Sequence, residues 1–366
     1  MRWTRTFVWL LPVGAACCIA ATAALSAPKK ASPGLVPAEL SSAWVKWNKQ
    51  TCKFDTVPRG QHPKTWTAVP QKAPAGTLIG YGEQAENNPF ATAVNDSIKR
   101  ATAAAGAQVF AVNYQWPDTA QPVIQAQALV QKKPSVVISF NVIAATIPAV
   151  NALFNKVCTP VIQITQLAPN SVLFGASNQN AGQVAGQYLA RYVKQKHWDP
   201  KKVTLVGPTV AGLGAINKRV TTCASTFKKL LPQTSYSEVN MGSSVTTGQQ
   251  AMTDWLTAHP SGGSTTYLVS CTIADIWSIA VANAITSAGR AGNAAIIGQG
   301  ASLDGVKAIR AGGPIVASTW FDAGRYGDYI VPLALDILKG QAVPLEVHQK
   351  LLIVDKANAN KFYKGQ

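Results

Sequence analysis

The chain has 366 residues, 47% of them hydrophobic, enough for a sizeable core and for two lobes rather than one. Its formal charge of +17 at pH 7 comes from lysines and arginines spread along the whole length. With no Lys/Arg-rich block and no interleaved aromatic stripe, that charge speaks for solubility or for anionic surfaces, and against nucleic-acid binding.

The first residues read as an export signal. Arg2 and Arg5 supply a positive start, residues 7–21 an apolar stretch, and small residues follow through Ser26. Ala24-Leu25-Ser26 is the expected cleavage motif, leaving Ala27 as the first mature residue. An uncleaved anchor would need a longer, more leucine-rich run. A lipoprotein signal ending at Cys17 or Cys18 would want a larger aliphatic residue where Gly14 or Ala15 stands. No later stretch is long and apolar enough to span a bilayer, so the expected location is the periplasm. Residues 27–76, rich in Pro, Lys and Gln, read as an extension or linker. An amphipathic piece at 40–49 would rest it on the main body through Trp44 and Trp47.

From residue 77 the pattern becomes regular. Strand-like runs fall at 77–81, 108–113, 135–140, 161–164 and 171–176, with helical patterns at about 90–105, 118–132 and 145–156. Asn87-Asn88-Pro89-Phe90 is the turn between the first strand and the first helix. Asn88 suits an N-cap and Pro89 the first helical turn. Phe90, Val94, Ile98, Ala101 and Ala105 then mark one buried helix face. A second series restarts near 178, with strands at 202–206, 236–241, 266–270 and 294–298. Its helices are expected near 179–195, 214–230, 246–258 and 274–288. Two more runs, 314–319 and 345–354, flank a last helix near 323–339. Such alternation predicts an α/β fold of two doubly wound, Rossmann-like lobes, with the ligand cleft at the carboxyl ends of both sheets.

Removal of the signal leaves Cys52, Cys158, Cys223 and Cys271, an even number that favours disulfides in an exported protein. Three pairings are open. Placing Cys223 and Cys271 in the second lobe favours that pair, and Cys52 would then tie the extension to Cys158. No CxxC is present and His62, His197, His259 and His348 are scattered, so no metal is expected.

No GxxxxGK[ST], GxSxG or HExxH motif occurs. Gly212-Leu213-Gly214 opens a helix after a strand but lacks the third glycine of a dinucleotide fingerprint. No local pair of acids stands out as an acid/base couple, and a meeting of Asp275 with Asp322 across a cleft is left open. The chain is thus read as built to bind rather than to react, with no enzyme activity and no cofactor. Ligand candidates are the polar and aromatic residues at strand ends. They are Gln84, Glu86, Asn88 and Phe90, then Asn141, Thr165 and Gln166. In the second half they are Asn217, Arg219, Ser243, Ser244, Asp275 and the Trp320-Phe321 pair. For Asn88 and Asp275 the alternative is helix capping.

These residues, in this order, resemble the type I periplasmic binding proteins of ABC transporters, in particular the ribose-binding branch. The resemblance spans roughly 75–356. It rests on Asn87-Asn88-Pro89-Phe90, Pro160-Val161-Ile162, and Ala185-Gly186-Gln187-Tyr188-Leu189-Ala190. It continues through Asp275, Ala284-Ile285-Thr286-Ser287-Ala288-Gly289, Asp304-Gly305 and Leu338-Lys339-Gly340. It implies a three-strand hinge between a lobe of 77–177 plus 320–344 and a lobe of 178–319 plus 345–366. It also implies a monomer that closes on a small solute and presents it to a membrane permease. Asn88 and Phe90 match the family's first-strand ligand contacts, and Asp275 part of its second-lobe polar pair. The chain departs where sugar binders place Asp-Arg, having Thr165-Gln166. Ala274 replaces an Asn beside Asp275, and Gly300 stands where another Asp is expected. The expected ligand is a sugar or sugar-like solute whose charged partners are replaced by amides and aromatics, or else a less hydroxylated one. The alternatives are a sensory module presenting ligand to a chemoreceptor or histidine kinase, and a cleft hydrolase. A transcriptional regulator of this fold is excluded, since a signal peptide stands where its DNA-binding helices would.

Overall fold

The computed structural model describes residues 39–84 and 88–363. The expected signal peptide, the start of the extension, Glu86 and Asn87 lie outside the described residues. Strand β1 (Glu39–Leu40) is followed by a hairpin of β2 (Trp44–Asn48) and β3 (Lys53–Val57), with Trp44 opposite Val57 and Asn48 opposite Lys53. In β2, Trp44, Val45 and Trp47 are buried and Lys46 is exposed, so both faces of the strand are largely covered. A disulfide from Cys52 to Cys158 fastens the hairpin tip to the body. Trp66 is also buried, and its Nε1 donates to Asp336 Oδ2 at 2.8 Å. From residue 39 onward the extension is therefore a built part of the molecule rather than a linker.

The first lobe runs β4 (Leu78–Glu83), α1 (Pro89–Ala105), β5 (Gln108–Asn113), α2 (Gln121–Gln131), β6 (Val136–Ser139), α3 (Ile147–Lys156), β7 (Val161–Ile164) and β8 (Val172–Gly175). These strands are parallel, in the order β8-β7-β6-β4-β5. The Asn88 side chain accepts from the Phe90 and Ala91 amides, which starts α1, and Gly106 in the left-handed conformation (φ 76°) ends it. Ala91, Val94, Ile98 and Ala105 face the core.

The second lobe repeats the scheme with α4 (Asn178–Gln195), β9 (Val203–Thr209), α5 (Gly214–Leu230), β10 (Ser235–Asn240), α6 (Val245–Ala258), β11 (Tyr267–Cys271), α7 (Asp275–Ser287), β12 (Ala294–Gly300), α8 (Leu303–Ala311) and β13 (Ile315–Trp320). Its parallel order is β10-β9-β11-β12-β13. Helix α8 was not expected from the sequence. It is short, and only Val306 and Ile309 give its apolar side a helical spacing. The backbones of α4 and α5 touch. A Cβ at Gly186 would lie 2.6 Å from the Cys223 carbonyl oxygen, so only glycine fits there. The Cys223–Cys271 disulfide links α5 to β11.

The chain then forms α9 (Tyr326–Leu338), β14 (Val343–Pro344), β15 (Glu346–His348) and β16 (Leu352–Asp355). Strand β14 joins β2 and β3 in a small sheet. Strand β15 pairs with β8 in the first lobe, and β1 flanks it, whereas β16 runs antiparallel to β13 in the second. The single run expected at 345–354 is thus two strands in two sheets. The last crossing falls at 349–351 and not at 345, because each strand's register is set by a different neighbour. The two lobes are joined there, after β8 and after β13.

Candidate ligand-binding cleft

Each sheet has its switch point at its first strand, β4 between β5 and β6 and β9 between β10 and β11, the place where such sheets open a crevice. A cavity of about 450 Å³ lies there, between the lobes. The first lobe contributes Gln84, Asn88, Phe90, Trp116, Pro117 and Phe140. Arg219, Ser243, Ser244, Trp277 and Gln299 come from the second, and Phe321 and Tyr326 from the crossing that follows β13. At its edge the lobes touch, the Ala144 amide donating to the Gly212 carbonyl at 3.3 Å. The walls are predominantly apolar, with six aromatic rings among the lining side chains.

Those rings are ordered. Phe90 meets Phe321 edge-on at 5.9 Å and Tyr326 at 5.8 Å, and Tyr326 meets Phe174 at 5.2 Å. Over the Phe321 ring, at 4.7 Å, stands the Arg219 guanidinium. Arg219 Nε donates to Asn178 Oδ1 and Nη1 to the Ile273 carbonyl, both at 2.7 Å. Burial pushes its pKa down to about 10, with Tyr326 and Asp275 opposing, so it remains a cation at neutral pH.

Residues 82–342 match the family model for periplasmic binding protein domains. The chain belongs to this family. The fold of the binding domain is shared by an ABC transporter solute-binding protein from Mycobacterium smegmatis with bound glycerol. That structure is 18% identical and has a TM-score of 0.71, covering 80% of this chain and 98% of its own. A solute-binding protein from Agrobacterium vitis with bound allitol is 18% identical, with a TM-score of 0.69, covering 80% and 99%. A second M. smegmatis structure, in complex with β-D-fucofuranose, is 21% identical, with a TM-score of 0.67, covering 79% and 95%. No curated protein sequence matches significantly.

In this binding domain the residues expected at the ligand divide into two groups. Gln84, Asn88, Phe90, Thr165, Arg219, Ser243, Ser244 and Phe321 line the cavity. Asn141, Gln166, Asn217, Asp275 and Trp320 are not among the lining residues. Asn141 is fully buried, donating to Thr146 Oγ1 at 2.8 Å and accepting from the Ile143 amide at 2.9 Å. Asn217 pins the Val210 backbone through both its amide atoms. Trp320 packs edge-on against Phe362 at 4.6 Å, so the adjacent aromatics point to different places.

Asp275 is the most consequential correction. It is 3% exposed, with Oδ1 accepting from Ser318 Oγ at 2.6 Å and Oδ2 from the Ser302 amide at 2.5 Å. Glycines make room for it. A Cβ at Gly298 would sit 2.2 Å from its Oδ1, and one at Gly305 2.6 Å from its Cγ. The carboxylate therefore ties the start of α7 to β13 and to the start of α8, with Gly298 of β12 packed against it beneath the cavity floor. Burial raises its pKa to about 6, against the pull of Ser318, Ser302 and Arg219. Nor does it meet Asp322 as an acid/base pair, since both its oxygens are taken inside the lobe.

Trp116, Pro117, Trp277, Tyr326 and Gln299 line the cavity without having been singled out from the sequence. Trp116 and Gln299 lie at strand ends, so position carried a signal for both. Gln299 is 1% exposed, and neither its Nε2 nor its Oε1 has a hydrogen-bond partner among the described residues. The described residues hold no cluster of three His, Cys, Asp or Glu side chains, and no helix long and apolar enough to cross a membrane.

Proposed function

We propose that this chain is the exported solute-binding subunit of an ABC importer. It captures a small polar solute, sugar-like in its hydroxylated part, by closure of the two lobes, and a membrane permease reads the closed form. The observation that carries the reading is the cavity between the lobes, lined from both sides and bordered by the Ala144–Gly212 contact. Three chain crossings at one side leave the lobes free to hinge, the geometry of a closing trap. The glycerol, allitol and fucofuranose bound to proteins of the same fold support a polyol or sugar scale of ligand. Binding without turnover belongs to the same reading, supported by a family and structural neighbours that are binding proteins. Export to the periplasm and a monomeric state belong to the same reading.

Mass spectrometry of small molecules released from gently purified protein is the direct test. A released solute that raises the melting temperature on return, and that shrinks the particle in small-angle scattering, supports capture by closure. Loss of uptake of that solute on deletion identifies an importer. Uptake intact with a lost response to the solute would instead identify a sensory module.

A further inference from the structure

We propose that the cleft selects a solute carrying a single carboxylate on a compact, partly apolar body, with Arg219 as its counter-charge and Gln299 as its neutral partner. This rests on reading the chain as a solute-binding protein and narrows the class of solute.

Among the described residues, the cavity lining contains one cation, Arg219, and no carboxylate. Asp275, whose charge acts on Arg219, spends both oxygens on Ser318 and Ser302 inside the lobe. Arg219 uses Nε and one Nη1 proton on Asn178 and Ile273, and its Nη2 donates to none of the described residues. The donors left over form the fork that carboxylates fit.

Helix geometry adds to the same potential. The N-cap residues of α1, α5, α6 and α7 (Asn88, Leu213, Ser244 and Ala274) all line the cavity. Helix N-termini carry partial positive charge. Asn88 and Ser244 cap their own helices, but Leu213 and Ala274 have no side chain to do so. Gln299, buried and without a partner among the described residues, supplies a donor and an acceptor at the end of β12. A buried amide left unpaired is unfavourable, so a solute that engages it gains selectively. The aromatic walls favour a body with an apolar face. The single cation among the described lining residues favours a ligand of single negative charge. A phosphate dianion would leave a charge uncompensated in a low-dielectric site.

The test uses matched pairs that differ in the acid group, D-glucuronate with D-glucose and cyclohexanecarboxylate with cyclohexanemethanol. Calorimetry on the purified full-length protein should show the acid of at least one pair binding about 10- to 100-fold tighter than its neutral partner, the range for a charge-assisted hydrogen bond. Which pair responds tells a sugar acid from an alicyclic one. Gln299→Glu should then weaken that acid at neutral pH by a clearly larger factor than it weakens the neutral compound, so that the preference for the acid is lost or reversed. Arg219→Met should abolish the preference and Arg219→Lys should retain part of it. Because Arg219 also braces Asn178, the Gln299→Glu result is decisive if the arginine variants fail to fold. Neutral polyols (glycerol, allitol or myo-inositol) binding with lobe closure and better than every acid would overturn the inference and leave the solute-binding reading intact. Acids that fail to bind at millimolar concentration would overturn it too. Failure of the underlying reading looks different: a compound that is turned over, or one bound tightly with no closure of the lobes.

Discussion

The Asp275 carboxylate accepts a 2.6 Å hydrogen bond from Ser318 Oγ, which holds it under the cleft floor rather than in the cleft. The contact joins the start of α7 to β13. Together with the Ser302 amide, it makes the acid a structural clamp of the second lobe.

That clamp has a pH signature. Burial raises the folded-state pKa of Asp275 to about 6, above its value in the unfolded chain. Below about pH 4 both states hold the proton, and above about pH 6 neither does. Between these limits the native state binds more protons, so this group's contribution to stability falls as pH rises, by about 3 kcal/mol in all. Melting temperatures from pH 4 to 7 should therefore show a component that Asp275→Asn removes. An unchanged slope in the variant would rule out Asp275 as its source.

Gly300 is required where it stands. Its φ is +110°, and a Cβ there would lie 3.2 Å from Phe90 Cδ2 and 3.8 Å from Asp275 Oδ2. Gly300→Asp, which writes in the residue expected of sugar binders, should destabilise the protein by about 1–3 kcal/mol. It should bring no gain in polyol affinity. Denaturant melts and calorimetry with allitol check both halves; a stable variant with new polyol binding would contradict the packing argument.

The Cys52–Cys158 bridge closes a loop with a sequence separation of 106, far from the cleft. Cys158 precedes β7, at the amino ends of the strands, whereas the cavity lies at their carboxyl ends. Removing the bridge with Cys52→Ala and Cys158→Ala together should lower stability by about 2–4 kcal/mol, since long loops lose most when unlinked. Ligand affinity should change less than about twofold. Parallel chemical denaturation and binding titrations separate the two effects.

What the sequence determined by itself is what neighbouring residues decide. Asn88 caps α1 through amides two and three residues away, and the 3.6-residue and two-residue periods reach only along one element. The alternating order of strands and helices, the two doubly wound lobes and the family motifs are therefore legible in the chain. The tertiary structure decided which strand-end residues face the cavity. Asp275 and Gln299 both lie at carboxyl ends of the second sheet, yet one is drawn under the floor by Ser302 and Ser318 and the other lines the cleft. The split of residues 345–354 between two sheets was decided in the same way, by β8 and β13. These choices are made by partners tens of residues or more away, whose positions exist only once the sheets have formed.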